Sequence, residues 1–256
     1  MKAATATLQR MATELAQRLR EQPGIGSGGA PAQLSMRLAR VGQVSDDDSG
    51  HGEPETRDAA LWKAAVAAEL VPLRPRSQRT PQDLDRRLRV GAMGQGNDWS
   101  SAVEQASAAA AEAMVTRWSL VQAEPSAVVA LIEQADEGKA KLAMDEAARR
   151  RISTAVAPIA AKIQIGAEVE LVVEAVGALV AIGDPAAAPA LIAATDRRPP
   201  AFWPPILYAL AHLGGEEAQA FLFTVAQGHP NPALKAVAKE ALQTLEERAK
   251  SSEESP

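Results

Sequence analysis

The chain has 256 residues, 46% of them hydrophobic and only 3% aromatic, and carries a net charge of −5. That length suffices for one large domain or two smaller ones, and the acidic balance argues against a dedicated nucleic-acid-binding protein. The absence of cysteine excludes disulfides, thiolate nucleophiles and Cys-ligated zinc. The three histidines, His51, His212 and His229, are too far apart in sequence to indicate a metal site, and no cofactor is predicted.

The N-terminal residues carry charges every few positions instead of a continuous apolar stretch, so no signal peptide is predicted. No uncharged apolar run reaches the length of about 18 residues expected of a membrane span. We therefore expect a cytoplasmic protein that does not enter a membrane. Arginine is more frequent than lysine and alanine is abundant, a composition typical of a GC-rich bacterial genome.

Residues 1–99 alternate predicted helices with segments rich in Gly, Pro and charge. An amphipathic helix is predicted over residues 5–21 because apolar side chains recur at helical spacing: Leu8, Met11, Leu15 and Leu19. Residues 57–70 are also predicted to be helical. The Gly-containing stretch 91–98 is the predicted domain boundary. We therefore expect residues 1–99 to be a loosely organised helical region with flexible linkers.

Beyond this boundary the breakers become rarer and the predicted helices longer. Ser101 and Glu104 have the spacing of a capping box, which predicts a helix from there to about residue 122. A further helical stretch is predicted over residues 139–164, broken or kinked at Pro158. Because every apolar pattern found has the helical period, the predicted fold class is all-α. The predicted domains are 1–99, a helical array over 100–249, and a disordered polar tail over 250–256.

An internal repeat occupies the last third of the chain. The stretch "ALVAIGDPAAAPAL" (178–191) is followed 31 residues later by "ALAHLGGEEAQAFL" (209–222), and five positions are identical. Each copy is predicted to be a helix, a tight turn and a second helix. A third, half-length copy begins with "NPAL" at residue 231, and "AVAPIA" (155–160) leaves open a more degenerate earlier unit. Helix pairs of this kind bury their apolar faces by stacking on neighbours.

The turns of these copies contain residues suited to ending and starting helices. Gly183 is predicted to end its helix in the left-handed conformation, which lacks a steric penalty for glycine, and Gly214 follows the corresponding helix of the second copy. Asp184 and Asn231 are predicted to cap the helices that follow, each with a proline at the first helical position.

These repeated phrases resemble HEAT repeats, in the short HEAT-like variety also found in phycobilisome-lyase proteins, over about residues 169–248. The resemblance implies a right-handed helical array, an α-α superhelix, that ends in HEAT-like repeats. Two departures from the family pattern occur. Gly215 stands where the first copy has Asp184, and Pro204 stands where the family carries a basic residue. Residues 1–99 do not resemble the family.

The resemblance implies a non-catalytic scaffold or adaptor whose repeat surface binds another protein. One alternative is a HEAT-like enzyme acting on nucleic acid, of the DNA glycosylase type. Residues 100–256 contain 13 basic and 20 acidic residues, and this charge opposes phosphate binding. Support for the enzyme comes from one segment: Asp196, Arg197, Arg198 and Trp203. A second alternative is an accessory protein of the bilin-lyase kind.

The segment "DRRPPAFWPPIL" (196–207) is the predicted partner-binding site. Trp203 is predicted to be a core residue at the start of a helix that begins near residue 202 or 203, because Pro204 and Pro205 are tolerated only in a first turn. Phe202 then lies off the core face, beside Arg197 and Arg198. An aromatic side chain flanked by arginines is typical of a binding hot spot. The alternative is that Phe202 packs between loops.

Three other motifs have simpler interpretations. The stretch "GIGSGG" (24–29) matches a dinucleotide-binding pattern but follows a charged helix instead of a strand. The stretch "DDDSG" (46–50) lacks the alternating ligand spacing of a calcium loop. The six arginines within 74–89 are interrupted by prolines and acidic residues and lack aromatic neighbours. All three are interpreted as linkers or solvated loops.

Overall fold

The computed structural model of this protein describes residues 2–20, 32–43, 62–72, 88–163, 168–197 and 199–253. The chain divides into two compact units, Met1–Gln122 and Ala123–Pro256. The division lies about one helix later than the predicted boundary, because residues 91–98 belong to a strand and the turn after it.

The first unit is a three-stranded antiparallel sheet with helices against one face. Its elements are α1 (Lys2–Arg20), β1 (Ala32–Gln43), β2 (Trp62–Pro72), β3 (Leu88–Gly96) and α2 (Trp99–Gln122). The strand order is β1-β2-β3. Helix α2 packs on β3 and β2, and α1 packs on α2 and β1. The core of this unit includes buried side chains from helices and strands: Leu15, Leu19, Val66, Leu70, Val90 and Met114.

The all-α prediction is therefore wrong for residues 1–99. The stretch 57–70, predicted to be a helix, contains most of β2. Its alanines favour helix when considered alone, but burial along the strand alternates, with Ala64, Val66 and Ala68 buried and the residues between them more exposed. In β1 the same alternation is present as Leu34, Met36 and Leu38. Pairing of three strands into a sheet with one covered face outweighs the local helical preference of alanine.

Two glycines of β3 allow α2 to lie directly on the sheet. A methyl group at Gly94 would overlap the backbone of Ala102 and Ala106, and one at Gly96 would meet Ser101. Ala102 and Ala106 are fully buried in this contact. The glycines thus allow the backbones of helix and strand to pack closely. They do not form the predicted linker between domains.

The start of α2 differs from the predicted capping box. The carboxylate of Asp98 accepts hydrogen bonds from the backbone N–H groups of Ser100 (2.8 Å) and Ser101 (2.9 Å). Glu104 points elsewhere and forms an ion pair with Arg10 of α1 at 2.6 Å. Because an aspartate at the N-cap satisfies the first free N–H groups, Glu104 is not required for that purpose and instead joins the two helices of the unit.

The second unit is entirely helical in its described residues. Its α-helices are α3 (Pro125–Gln134), α4 (Glu137–Arg150), α5 (Val156–Ala161), α6 (Val169–Ile182), α7 (Ala188–Arg197), α8 (Trp203–Leu213), α9 (Glu216–Gly228) and α10 (Pro232–Glu253). Short 3-10 turns, Ser153–Ala155, Pro185–Ala187 and Pro200–Phe202, precede α5, α7 and α8. The predicted disordered tail is wrong over its first residues, since α10 continues to Glu253.

The helices of this unit form two layers. Layer one consists of α4, α6, α8 and α10, each contacting the next. Layer two consists of α3, α5, α7 and α9, which pack against layer one. Leu179 of α6 and Leu210 of α8 are fully buried between the layers. Stacked helix pairs that contact their neighbours in sequence are the arrangement that the internal repeat predicts.

Gly183, Asp184 and Asn231 have their predicted roles at the helix ends, whereas Gly214 combines a positive φ with an extended ψ. Gly183 ends α6 with φ 74°, and Gly214 follows α8 with φ 72°. The carboxylate of Asp184 accepts from the N–H of Ala186 at 3.0 Å. The side-chain oxygen of Asn231 accepts from the N–H of Ala233 at 2.9 Å. These caps satisfy backbone groups that the helix ends leave free.

Within the parts of the chain that the structure describes, no helix is both long enough and apolar enough to span a bilayer.

Candidate functional site

The second unit has a groove between α5 and α7, with a volume of about 850 Å³. This volume falls within the range of about 300–1,000 Å³ typical of ligand pockets. One wall comes from α5 and the turn before it, and the other from α7 and its entry turn. The lining residues are Ser153, Thr154, Val156, Ala157, Ala160, Ala161, Ile163, Asp184, Ala186, Pro189, Ala190, Ala193 and Ala194.

The groove exists because α5 is short. It has 6 residues, whereas α3 and α7 have 10 each and α9 has 13. Layer two therefore has less helix at α5 than at its other three positions. Helix α5 packs mainly on α6 of layer one and reaches only the 3-10 turn that precedes α7, so the space beside α7 stays open.

The shortness of α5 begins with the early end of α4. Arg151 adopts a left-handed conformation with φ 52°, the one positive value found outside glycine in the described residues. Its N–H donates to Ala148 O (3.1 Å) and the N–H of Ile152 donates to Ala147 O (2.9 Å). This pair of hydrogen bonds is a Schellman motif, which stops the helix. The stop lies seven residues before Pro158, so the predicted helical stretch over 139–164 is interrupted at Arg151 and not, as predicted, at Pro158.

Pro158 instead lies in the first turn of α5, where its missing N–H costs nothing. Pro189 occupies the equivalent position in α7, 31 residues later. The stretches 155–160 and 186–191, noted for their similarity in sequence, are thus the starts of two successive layer-two helices. The internal repeat therefore extends to α5, and the groove lies between two corresponding helices.

The surface of the groove is apolar and nearly uncharged. Seven alanines line it, and three of the lining residues, Val156, Ile163 and Ala194, are buried. Asp184 is the one ionisable side chain among the lining residues, and its carboxylate already accepts the capping hydrogen bond. Because alanines leave room above a helix surface, the groove can accept larger apolar side chains from another molecule, and a third helix can approach closely.

The predicted partner-binding residues are described only in part. Arg198 lies outside the described residues, and so does the side chain of Arg197, the last residue of α7. Phe202 ends the 3-10 turn before α8 and is half-buried. Whether the three side chains form one cluster therefore remains a prediction.

Trp203 begins α8, as predicted, and Pro204 and Pro205 lie in its first turn. The residue is half-buried, so it lies at the edge of the predicted core position. The centroid of the ring lies 4.8 Å from that of His229 and 6.4 Å from that of Phe221. The indole N–H is buried and has no acceptor among the described residues. Nδ1 of His229 accepts from the N–H of Asn231 at 3.1 Å, so this cluster joins the start of α8 to the turn before α10.

The arginines at 149–151 are used within the unit. Arg149 forms a two-pronged ion pair with the buried carboxylate of Glu146. Arg150 donates to the carbonyl of Ala123 at 2.7 Å, and Arg151 is the left-handed residue that ends α4.

His212 also has a structural contact, because its backbone carbonyl at the end of α8 accepts a hydrogen bond from Arg248 at 2.6 Å.

Polar contacts tie neighbouring helices of layer one. Lys141 of α4 lies 2.8 Å from Glu170 of α6, and the hydrogen bond from Lys141 holds the pKa of Glu170 below its ordinary value. Tyr208 of α8 donates to Glu240 of α10 at 2.9 Å, which raises the pKa of the Tyr208 hydroxyl. Both contacts are solvent-exposed, so they favour the packing only weakly.

In the described ranges, no group of three or more His, Asp or Glu side chains is placed to hold a metal ion. Comparison of the chain with protein-family models, curated proteins and solved structures gave no match.

Proposed function

We propose that this protein is a non-catalytic interaction module of the HEAT-like repeat type, which binds a helix of another protein in the groove between α5 and α7. The observation that carries the proposal is the shortened α5, which leaves an apolar groove within an otherwise continuous helical layer. A helix from a partner can occupy the missing part of layer two. Helix-in-groove recognition relies on apolar side chains at helical spacing entering such a surface.

The composition of the groove defines the partner helix. The small side chains on its walls and the nearly neutral lining favour a helix with bulky aliphatic residues on one face and no charge on that face. Arg197 is the last residue of α7, and we propose that Phe202, together with Arg197 and Arg198, contacts the polar flank of such a helix. Affinity would come from burial of apolar area, at about 25 cal/mol per Å² before the cost of association is subtracted.

A displayed library of amphipathic helical peptides tests the proposal against the full-length protein. Binders are selected first, and their dissociation constants are then measured on two variants. Ala157→Arg places a long charged side chain in the groove at an exposed helical position. Ala220→Arg makes the same change at an exposed position of α9 outside the groove lining and is the matched control.

We expect Ala157→Arg to weaken binding at least tenfold, because it fills the groove and puts a charge on its apolar surface, and Ala220→Arg to leave it unchanged. Peptides bound equally well by both variants, or a library without binders, would contradict the proposal. A photoreactive residue at position 157, introduced in the native host, then identifies the natural partner. The same residue at position 220 controls for nonspecific crosslinking.

A further inference from the structure

Strand β1 is at the edge of the sheet in the first unit. It pairs with β2 along one side only, and in the strand order β1-β2-β3 its other side has no strand against it among the described residues. It is also the longest strand, with 12 residues. An edge of this kind offers backbone N–H and C=O groups to an additional strand.

The core-facing side chains of β1 are incompletely covered. Leu34, Met36 and Leu38 are half-buried. The corresponding side chains of the central strand are at most 4% exposed: Ala64, Val66, Ala68 and Leu70. The apolar layer therefore continues to the edge of the sheet and is partly open there. Alternate apolar residues of an added strand would cover it.

The opposite face of β1 carries two arginines. Arg37 pairs in register with Ala67, and Arg40 pairs with Ala65. Ala39 is the extra residue of a bulge between the Leu38 and Arg40 pairings. The bulge turns Arg40 to the same face as Arg37, although the two are three positions apart. Without the bulge, Arg40 would have pointed toward the core side.

Directly opposite Arg37 and Arg40, β2 carries alanines, and the acidic residue of β2 on that face, Glu69, lies diagonal to Arg37. Arg89 of β3, by contrast, forms an ion pair with Glu69 of β2 at 2.9 Å. Arg37 and Arg40 are exposed, and no ion pair to either is found within the described ranges. Two adjacent positive charges on an open edge favour negative charges on whatever strand pairs there.

We propose that the free edge of β1 binds an extended segment of a partner protein, with alternating acidic and apolar residues, as a fourth strand. The backbone supplies the hydrogen bonds, the acidic residues face Arg37 and Arg40, and the apolar ones cover Leu34, Met36 and Leu38. Pairing with β1 of a second copy is disfavoured, because the arginines of both copies would share one face. This site is in the other unit and does not depend on the groove.

A twelve-residue labelled peptide of alternating glutamate and valine is the probe, measured by fluorescence anisotropy on the full-length protein. The control peptide replaces each glutamate with lysine. We expect the glutamate peptide to bind at least tenfold more tightly than the lysine peptide. The double variant Arg37→Glu/Arg40→Glu should reverse this preference, and its gain of binding to the lysine peptide shows that it is folded.

Lys63→Glu is the matched control, since Lys63 lies on the same sheet face but on the central strand β2. If the peptide adds to the edge as a strand, the affinity of this variant for the glutamate peptide should stay within about twofold of the wild-type value. If Lys63→Glu weakens binding as much as Arg37→Glu/Arg40→Glu does, the peptide binds across the face of the sheet and not along its edge. The proposal is then wrong. Tighter binding of single-stranded DNA than of the peptide would also overturn it.

Methylation of the peptide backbone tests the hydrogen bonds directly. Two versions of the probe carry N-methyl groups on alternate residues, either the odd or the even set. An added strand directs only one set of N–H groups toward β1, so one version should lose binding at least tenfold and the other should retain it. Equal affinity of the two versions would show that the peptide binds through its side chains alone and would contradict strand addition.

Discussion

Gly94 of β3 lies against Ala106 of α2 so closely that a single methyl group on the glycine would overlap the alanine backbone. The contact joins the last strand of the sheet to the helix that follows it. Helix and sheet can approach this closely only where neither carries a side chain between the two backbones. The position of α2 over the sheet thus depends on a glycine at position 94.

The variant Gly94→Ala should lower the free energy of unfolding of the first unit by about 1–3 kcal/mol, the usual cost of overpacking a close contact. Gly91→Ala is the matched control, because it lies on the same strand with no atom within 4 Å of the added methyl group. Urea unfolding of both variants, followed by amide signals of α2, measures the difference. A Gly94→Ala protein as stable as Gly91→Ala would contradict the described packing.

Replacing either of two glycines, Gly183 and Gly177, with alanine should change the stability of the second unit, but in opposite directions. Gly183 has φ 74°, so Gly183→Ala should destabilise the second unit by about 1–2 kcal/mol. Gly177 lies within the helix with open space around it, so Gly177→Ala should stabilise the unit by about 0.5–1 kcal/mol. Thermal or urea unfolding measures both. The same sign of effect in the two variants would show that the turn after α6 is wrongly assigned.

The cap of α2 should titrate at unusually low pH. The hydrogen bond from the N–H of Ser101 holds the pKa of Asp98 below its ordinary value of 3.8. Because the pKa is lower in the folded state, the stabilisation is fully present above pH about 4 and is lost as the pH falls through the folded pKa. A pH titration of the Ser100 and Ser101 amide signals should therefore show an inflection below 3.8.

Asp98→Asn is the control for this titration, since asparagine caps helices well and does not ionise. The inflection of the Ser100 and Ser101 signals should disappear in that variant while α2 stays folded. An inflection at or above the ordinary aspartate value in the wild-type protein would mean that the carboxylate does not accept these hydrogen bonds.

Trp203 should stabilise the folded state through the packing of its ring and not through its N–H group. The indole N–H is buried without an acceptor in the described structure, so Trp203→Phe should change the free energy of unfolding by less than about 1 kcal/mol. Trp203→Ala should lower it by about 3 kcal/mol, because the space beside His229 and Phe221 is emptied. Urea unfolding compares the two. Equal losses in both variants would show that the indole N–H has a partner.

The helical repeats could be predicted from the sequence because their signals are local. Gly183, Asp184 and Asn231 determine helix ends through their own backbone and side-chain preferences, without help from distant residues. The strands could not be predicted in the same way. Alanines at 64, 65, 67 and 68 favour a helix by themselves, and only pairing with β1 and β3 makes β2 a strand.

The candidate sites were predictable only in part, for the same reason. The similarity between residues 155–160 and 186–191 indicated two equivalent helices, but the groove between them depends on how early Arg151 ends α4. Likewise, Arg37 and Arg40 reach one face only because Ala39 is an extra residue relative to β2. A bulge is defined by the register of two strands, and that register is absent from either strand considered alone.

The stacking of layer one has a consequence for how such a chain changes during evolution. Each of α4, α6, α8 and α10 contacts mainly helices no more than two places away in sequence, so the duplication of one helix pair would leave the other contacts intact. A descendant gene that copied residues 169–200 in frame would add one turn-linked pair to the array. The first unit has no such freedom, because an insertion in β3 or α2 would separate Gly94 from Ala106. The two halves of the gene should therefore tolerate length changes very differently.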